Sequence, residues 1–250
     1  ASAQQLTAII TDPSGWENYR SAADDPTTCA TLLDKMVSNG WATRHSDLEA
    51  AQAALGTTDL TLNRLGLIPK TKADGTLKHR LIWDLRRSGV NGVLAQGERI
   101  VLPRLSDLTQ DVIELAGSGR SGSDIVLLGA DISDAFHQVP LNPSERRFTL
   151  AAVGDHVYEF RVLVFGSGSA PTVWGRFAAF LGRTDMAVVG TDRFRAEIYV
   201  DDPILVAAGS PGEVNRRLPM ALLSTPIPGL PLRRPNADVR TACPSHTSDH

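Results

Sequence analysis

Two adjacent carboxylates, Asp201 and Asp202, stand between the short apolar runs of AEIYVDDPILVAAG (196–209). Runs of this length, rich in Ile, Val and Tyr and interrupted by a polar pair, read as the two arms of a strand–turn–strand unit. A second apolar run, DIVLLGAD (124–131), reads as a buried strand and also ends in a carboxylate, Asp131, with Asp134 three residues on. Like charges crowded at a tight turn are costly unless something positive sits between them. If the two strands are neighbours in one sheet, Asp131 and Asp201 converge at its edge. Hard oxygen ligands of this kind suit Mg²⁺, which is held by a few carboxylates plus substrate phosphates. Two such ions about 4 Å apart stabilise both the attacking and the leaving oxygen of a phosphoryl transfer. The same residues admit a plainer reading, in which Asp-Asp-Pro is only a turn and Asp131 caps the turn after it.

The rest of the chain reads as mixed helix and strand. Residues 1–64 are mostly helical, with Ser46 as N-cap and Glu49 completing a capping box for SDLEAAQAAL (46–55), and Gly56 as the stop. LGLIPKTKADGTLKHRLIWDL (65–85) reads as a hairpin turning at Asp74-Gly75. LSDLTQDVIELA (105–116) reads as an amphipathic helix with Leu105, Leu108, Val112, Ile113 and Leu115 on its apolar side. RRFTLAAVGDHVYEFRVL (146–163) reads as two strands joined at Gly154-Asp155, and a helix beginning at Thr172 is expected to end near Gly182. After Gly209 the patterning decays, and 211–235 carries six prolines, among them Pro219 inside what would otherwise be a helix. The expected fold class is therefore α+β with an antiparallel sheet backed by helices. The expected division is a helical segment 1–64, a central domain 65–210 and a proline-rich tail 211–250.

Net charge is −3, which by itself argues against a general nucleic-acid binder. Its distribution is uneven: residues 70–104 hold eight Lys/Arg against three acids, a local +5 against −8 elsewhere. A basic lobe beside an acidic remainder suits a polyphosphate ligand facing a metal site, although a solvated charged face gives the same count. The two cysteines, Cys29 and Cys243, lie far apart without metal-ligand spacing, which fits a reduced, intracellular setting. No stretch approaches the ~20 apolar residues of a membrane span, so no membrane partner is expected. ASAQQLTAII lacks the features of a signal peptide, and the absence of an initial Met fits an excised or processed piece.

Several boxes occur together in order. Tyr199-Val200-Asp201-Asp202 matches the Tyr-x-Asp-Asp box of reverse transcriptases, and Asp131 to Phe136 (DISDAF) resembles their motif A, with an aromatic residue five positions after the aspartate. HQVPLNPSERRFTLA (137–151) resembles retrotransposon sequences. Phe165-Gly166 with Ser169-Ala170-Pro171 is similar to motif B, and Pro69, Lys70, Asp74 to Thr76, Arg80, Asp84 and Arg86 look like the family's fingers motif. Pro103-Arg104-Leu105 resembles the segment that joins fingers to palm. The match covers about 65–210; one box alone would be weak, and four in family order make a strong signal.

This resemblance implies a right-hand polymerase palm with fingers inserted at about 65–120, without thumb or RNase H. It implies an RNA-directed DNA polymerase that takes an RNA or DNA template with its primer, and dNTPs, using two Mg²⁺ ions, with Mn²⁺ as a substitute. Asp131, Asp201 and Asp202 would be catalytic and would bind metal together with the Ile132 carbonyl. Lys70, Lys72 and Arg80 would hold the triphosphate, with the backbone amides of Asp134 and Ala135 nearby. Phe136 would lie under the sugar and exclude a 2′-hydroxyl, and Phe165 would pack near the nucleotide. Arg86, Gly166 and Tyr199 would face template or primer. The family's motif D lysine, which protonates pyrophosphate, has no counterpart, because no lysine follows Lys78; Arg233 and Arg234 follow a similar lead-in but are poor proton donors. An RNA-dependent RNA polymerase ranks low, since Gly-Asp-Asp is absent. A catalytically inactive retroelement relic remains the alternative. Oligomeric state is not legible in the sequence.

Overall fold

The computed structural model describes residues 17–71, 74–94, 97–117, 124–224 and 240–241. In chain order its main elements are α1 (Pro26–Ser38), β1 (Ala42–His45), α2 (Leu48–Leu55), β2 (Arg64–Thr71), β3 (Leu77–Asp84), α3 (Leu105–Gly117), β4 (Asp124–Gly129), β5 (Leu150–Val153), β6 (His156–Phe160), α4 (Ala170–Val189), β7 (Phe194–Tyr199), β8 (Asp202–Gly209), α5 (Pro211–Ser224) and β9 (Arg240–Thr241). All pairing within the three sheets is antiparallel, so this is the mixed helix and antiparallel-sheet fold that the sequence leads one to expect. The chain divides into two compact units, one of residues 1–98 with 136–170 and one of 99–135 with 171–250.

In the first unit, local chemistry sets the ends of the elements. Asp25 accepts a hydrogen bond from the Thr28 amide and Pro26 occupies the first turn, so α1 starts there. The cap of α2 is Asp47, which accepts from the Ala50 amide at 2.7 Å; the expected cap, Ser46, instead donates its hydroxyl to Asp47. Gly56 closes α2 in the left-handed conformation at φ 65°, as expected. β2 and β3 form the expected hairpin, from Arg64↔Asp84 to Thr71↔Leu77. In its turn Asp74 accepts from the Thr76 amide, and Gly75 takes φ 79°. Lys72 lies outside the described residues. β1, β6 and β5 form a second sheet, with the β5–β6 turn at Gly154 as expected. Leu33, Leu65, Trp83, Tyr158, Phe160 and Val164 are fully or nearly fully buried in one cluster, with Trp83 edge-on to Phe160.

The second unit is a four-stranded sheet in the order β7-β8-β4-β9. Its two central strands bury both faces. Leu205 and Ala207 of β8, with Val126 and Leu128 of β4, pack with Val214, Leu218 and Ala221 of α5. The alternate residues Val206 and Ala208, with Ile125 and Leu127, pack with Leu108, Val112 and Leu115 of α3. Double burial explains why DIVLLG is continuously apolar instead of alternating. Within α3, Leu105 and Ile113, expected on the apolar side, are exposed.

Two helices depart from the sequence expectation. α4 does not stop at Gly182 but runs on to Val189. A Cβ at Gly182 would make only an ordinary van der Waals contact, 3.5 Å from the Ala196 carbonyl oxygen, so this glycine neither ends the helix nor is demanded by packing on β7. The region after Gly209, expected to lack regular structure, forms α5 over 211–224. Ser210-Pro211-Gly212-Glu213 starts it with one half of a capping box: the Ser210 amide and hydroxyl both donate to Glu213 Oε2, at 2.9 and 3.0 Å. Val214, Leu218 and Ala221 form a buried stripe that offsets the roughly 3 kcal/mol cost of Pro219 in the helix interior. Among the described residues no helix is long and apolar enough to cross a membrane.

Candidate active site

In the second unit β4 runs antiparallel to β8, with Gly129 opposite Ile204. The ladder continues past the end of β4: the Ala130 amide donates to the Pro203 carbonyl at 2.9 Å, and the Ile132 amide to the Asp201 carbonyl at 2.8 Å. Asp131 sits between those two bonds and is thereby carried alongside the β7–β8 turn. Ile132 is buried at 3% exposure, which pins the backbone directly after Asp131. Tyr199 pairs with Asp202, so Val200 and Asp201 are the two central residues of a tight hairpin. Val200 adopts φ 57°. A β-branched residue in the left-handed region is strained, and such strain persists only where the surroundings hold it.

The Asp202 carboxylate senses the other two. Although Asp202 is exposed, its carboxyl is raised above the usual range, first by partial desolvation and then by the charges of Asp201 and Asp131. Elsewhere in the unit, the partly buried carboxylate of Asp111 has Arg195 at 3.4 Å to compensate it. Among the described residues no such cation acts on Asp202. The arrangement therefore concentrates negative charge at one sheet edge, an environment that favours a bound cation. Among the described residues, no group of three or more His, Cys, Asp or Glu is arranged to hold a metal by itself. Magnesium does not require such a cage where one or two carboxylates and a substrate phosphate complete its shell.

Crystal structures of prototype foamy virus protease–reverse transcriptase, one of a selenomethionine-labelled mutant and one of the native protein, each superpose with a TM-score of 0.53, at 16% and 17% identity. The chain has a reverse-transcriptase-like fold. The match covers 84% of this chain but 23% of those proteins, so the chain spans less than a quarter of their length. No family model matches the sequence.

Within this reverse-transcriptase-like fold, the second unit holds Asp131, Ile132, Asp134, Ala135, Tyr199, Asp201 and Asp202. Asp134 is exposed and adopts φ 54°, which Asp tolerates better than most residues; Ala135 is buried and begins a 3₁₀ turn. Tyr199 is half-exposed beside the turn.

The remaining expected site residues belong to the first unit. Phe136 and Phe165 are in ring contact at 5.1 Å, and the Arg80 guanidinium lies 5.8 Å from the Phe165 ring centre. Lys70 is exposed on β2 opposite Lys78. Arg86 is exposed, and its backbone amide donates to Asp84 at 3.1 Å. Gly166 has φ 105°, and a Cβ there would lie 2.1 Å from the Trp83 carbonyl oxygen, so no side chain fits.

Sequence reasoning missed several supports. Asn91 brackets the loop at Gly166–Gly168: its Nδ2 donates to the Gly166 carbonyl and its Oδ1 accepts from the Gly168 amide, both at 2.8 Å. His137, read as structural, packs its ring tilted against Trp41 at 4.7 Å and edge-on to Phe165 at 5.4 Å, in keeping with that reading. Trp174 donates its indole N–H to the Val200 carbonyl at 2.5 Å. None carries a local signal: an Asn in a loop and a Trp or His in an apolar stretch are ordinary until tertiary partners are known.

Proposed function

We propose that this chain is the catalytic part of a reverse transcriptase of retrotransposon type, with fingers and palm over 65–210 in a right-hand polymerase arrangement. It extends a primer on an RNA or DNA template, the primer 3′-hydroxyl displacing pyrophosphate from a dNTP. The single observation that carries this reading is the alignment of Asp131 with the Asp201-Asp202 turn through the Ile132 to Asp201 backbone bond, with the charge crowding it produces. The low-identity likeness to viral reverse transcriptases agrees with it at the level of fold.

In this proposal Asp131, Asp201 and Asp202, with the Ile132 carbonyl, hold the divalent ions. Bound Mg²⁺, or Mn²⁺ in its place, supplies charge stabilisation to the attacking and leaving oxygens. The crowding at Asp202 is the fit expected of such a site, since each negative charge is a cost that a cation repays. Lys70, Lys72 and Arg80 bind the triphosphate, assisted by the amides of Asp134 and Ala135. Phe136, set against Phe165, closes the space that a 2′-hydroxyl would need. Arg86, Gly166 and Tyr199 contact template or primer.

Primer extension by the 250-residue chain with a labelled primer, dNTPs and Mg²⁺ is the direct test. Extension that disappears in Asp131→Asn supports the proposal. A folded wild-type chain that neither extends primer nor binds Mn²⁺ would favour the inactive relic.

A further inference from the structure

The turn that presents Asp201 and Asp202 carries an energetic contradiction. A two-residue hairpin whose first central residue has positive φ is normally built with Gly, Asn or Asp. Here that residue is Val200, at φ 57°. Packing does not confine it from every side, because Val200 borders a cavity of about 350 Å³ together with Ile100, Gly175 and Ile198. What holds it is a directed bond: Trp174, at 0% exposure, donates its indole N–H to the Val200 carbonyl. The donor ring is itself fixed on α4, in contact with the Phe177 ring at 5.5 Å. The next carbonyl along, that of Asp201, accepts from the Ile132 amide at 2.8 Å. Successive carbonyls of the turn are thus tied to two different elements, α4 and the segment after β4.

We propose that Trp174 is a positioning residue whose indole N–H locks Val200 in the left-handed conformation and so aims Asp201 and Asp202 toward Asp131. The consequence for metal binding rests on the function proposed above; the clamp itself does not. Val at 200 makes the turn dependent on its clamp, because without the N–H the strained conformation has no compensation and the turn relaxes. Glycine at the same position would take this φ at no steric cost and make the clamp dispensable.

The test uses the full chain with Trp174→Phe, Val200→Gly and the double substitution. The phenyl ring keeps most of the packing and removes only the donor. In metal-free denaturant unfolding, Trp174→Phe lowers the folding equilibrium constant severalfold in the native background and much less in the Val200→Gly background. Equal, additive effects in the two backgrounds overturn the clamp. In Mn²⁺ titration by electron paramagnetic resonance, Trp174→Phe weakens binding about fivefold to tenfold, the scale of one lost hydrogen bond, and adding Val200→Gly restores it. A generally damaged core would show no such rescue, and its absence overturns the positioning role. If the native chain binds no Mn²⁺, the metal reading fails, and the clamp stands or falls on the unfolding cycle. Should Trp174→Phe not fold, the native chain decides: the Trp174 indole proton exchanges slowly with solvent if the bond is held, and fast exchange refutes it.

Discussion

Neutralising Asp202 separates a site built for a cation from an ordinary polar turn. In Asp202→Asn one of three mutually repelling carboxylates becomes neutral with little change of shape. The repulsion acts at an exposed turn, so it is screened; a surface pair of this kind is worth about 0.5 kcal/mol, and two pairs roughly 1 kcal/mol at low salt. At a size of 250 residues this corresponds to a rise of roughly 2–4 °C in melting temperature per kcal/mol. Metal-free Asp202→Asn should therefore melt about 2–4 °C above the native chain at low ionic strength. The difference should shrink in high salt.

The pH dependence has a definite sign. Because folding raises the Asp202 pKa, the folded state holds its proton more tightly than the unfolded chain. The native chain's advantage from this group is present below the unfolded value and is lost as pH rises through the raised folded value. The variant lacks that loss, so the two melting curves should coincide in acid and separate toward neutral pH. Adding Mn²⁺ should reverse the order, stabilising the native chain by mass action and the variant far less. Thermal melts in chelator and in Mn²⁺, at two salt concentrations and across pH 3–8, would read all of this. A variant that melts lower without metal, or that gains as much from Mn²⁺ as the native chain does, would refute the reasoning.

Three further outcomes are expected. Gly166→Ala should cost about 3 kcal/mol or more in denaturant unfolding, because a Cβ would meet the Trp83 carbonyl at 2.1 Å in addition to the positive-φ penalty; a near-neutral effect would mean that the loop at Gly166 is not held as described. Phe136→Ala should raise ribonucleotide use relative to dNTP in primer extension, and unchanged discrimination in a folded variant would leave Phe136 with only its packing against Phe165. Pro219→Ala should stabilise the chain by about 1–3 kcal/mol, since the position is exposed and the substitution restores a helical amide; a destabilised variant would show that α5 needs the proline.

What the sequence determined by itself was local. Asp74-Gly75 and Gly154-Asp155 specify tight turns through backbone preferences that need no partner, and both hairpins form where those residues stand. DIVLLG declared a strand covered on both faces, because only double burial stabilises an unbroken apolar run. Two acidic turns could be seen as candidates for one site. Their meeting could not, because it depends on β4 and β8 pairing in a register that brings the Ile132 amide to the Asp201 carbonyl across some seventy positions of chain. The tertiary structure alone decided that α4 would run through Gly182 to Val189, and that a proline-bearing stretch after Gly209 would be helical. In each case burial against the sheet outweighs a local preference of a few kcal/mol. Val200 is the sharpest instance. Its intrinsic preference opposes the conformation it holds, and the force that overrides that preference comes from Trp174, a residue on another element.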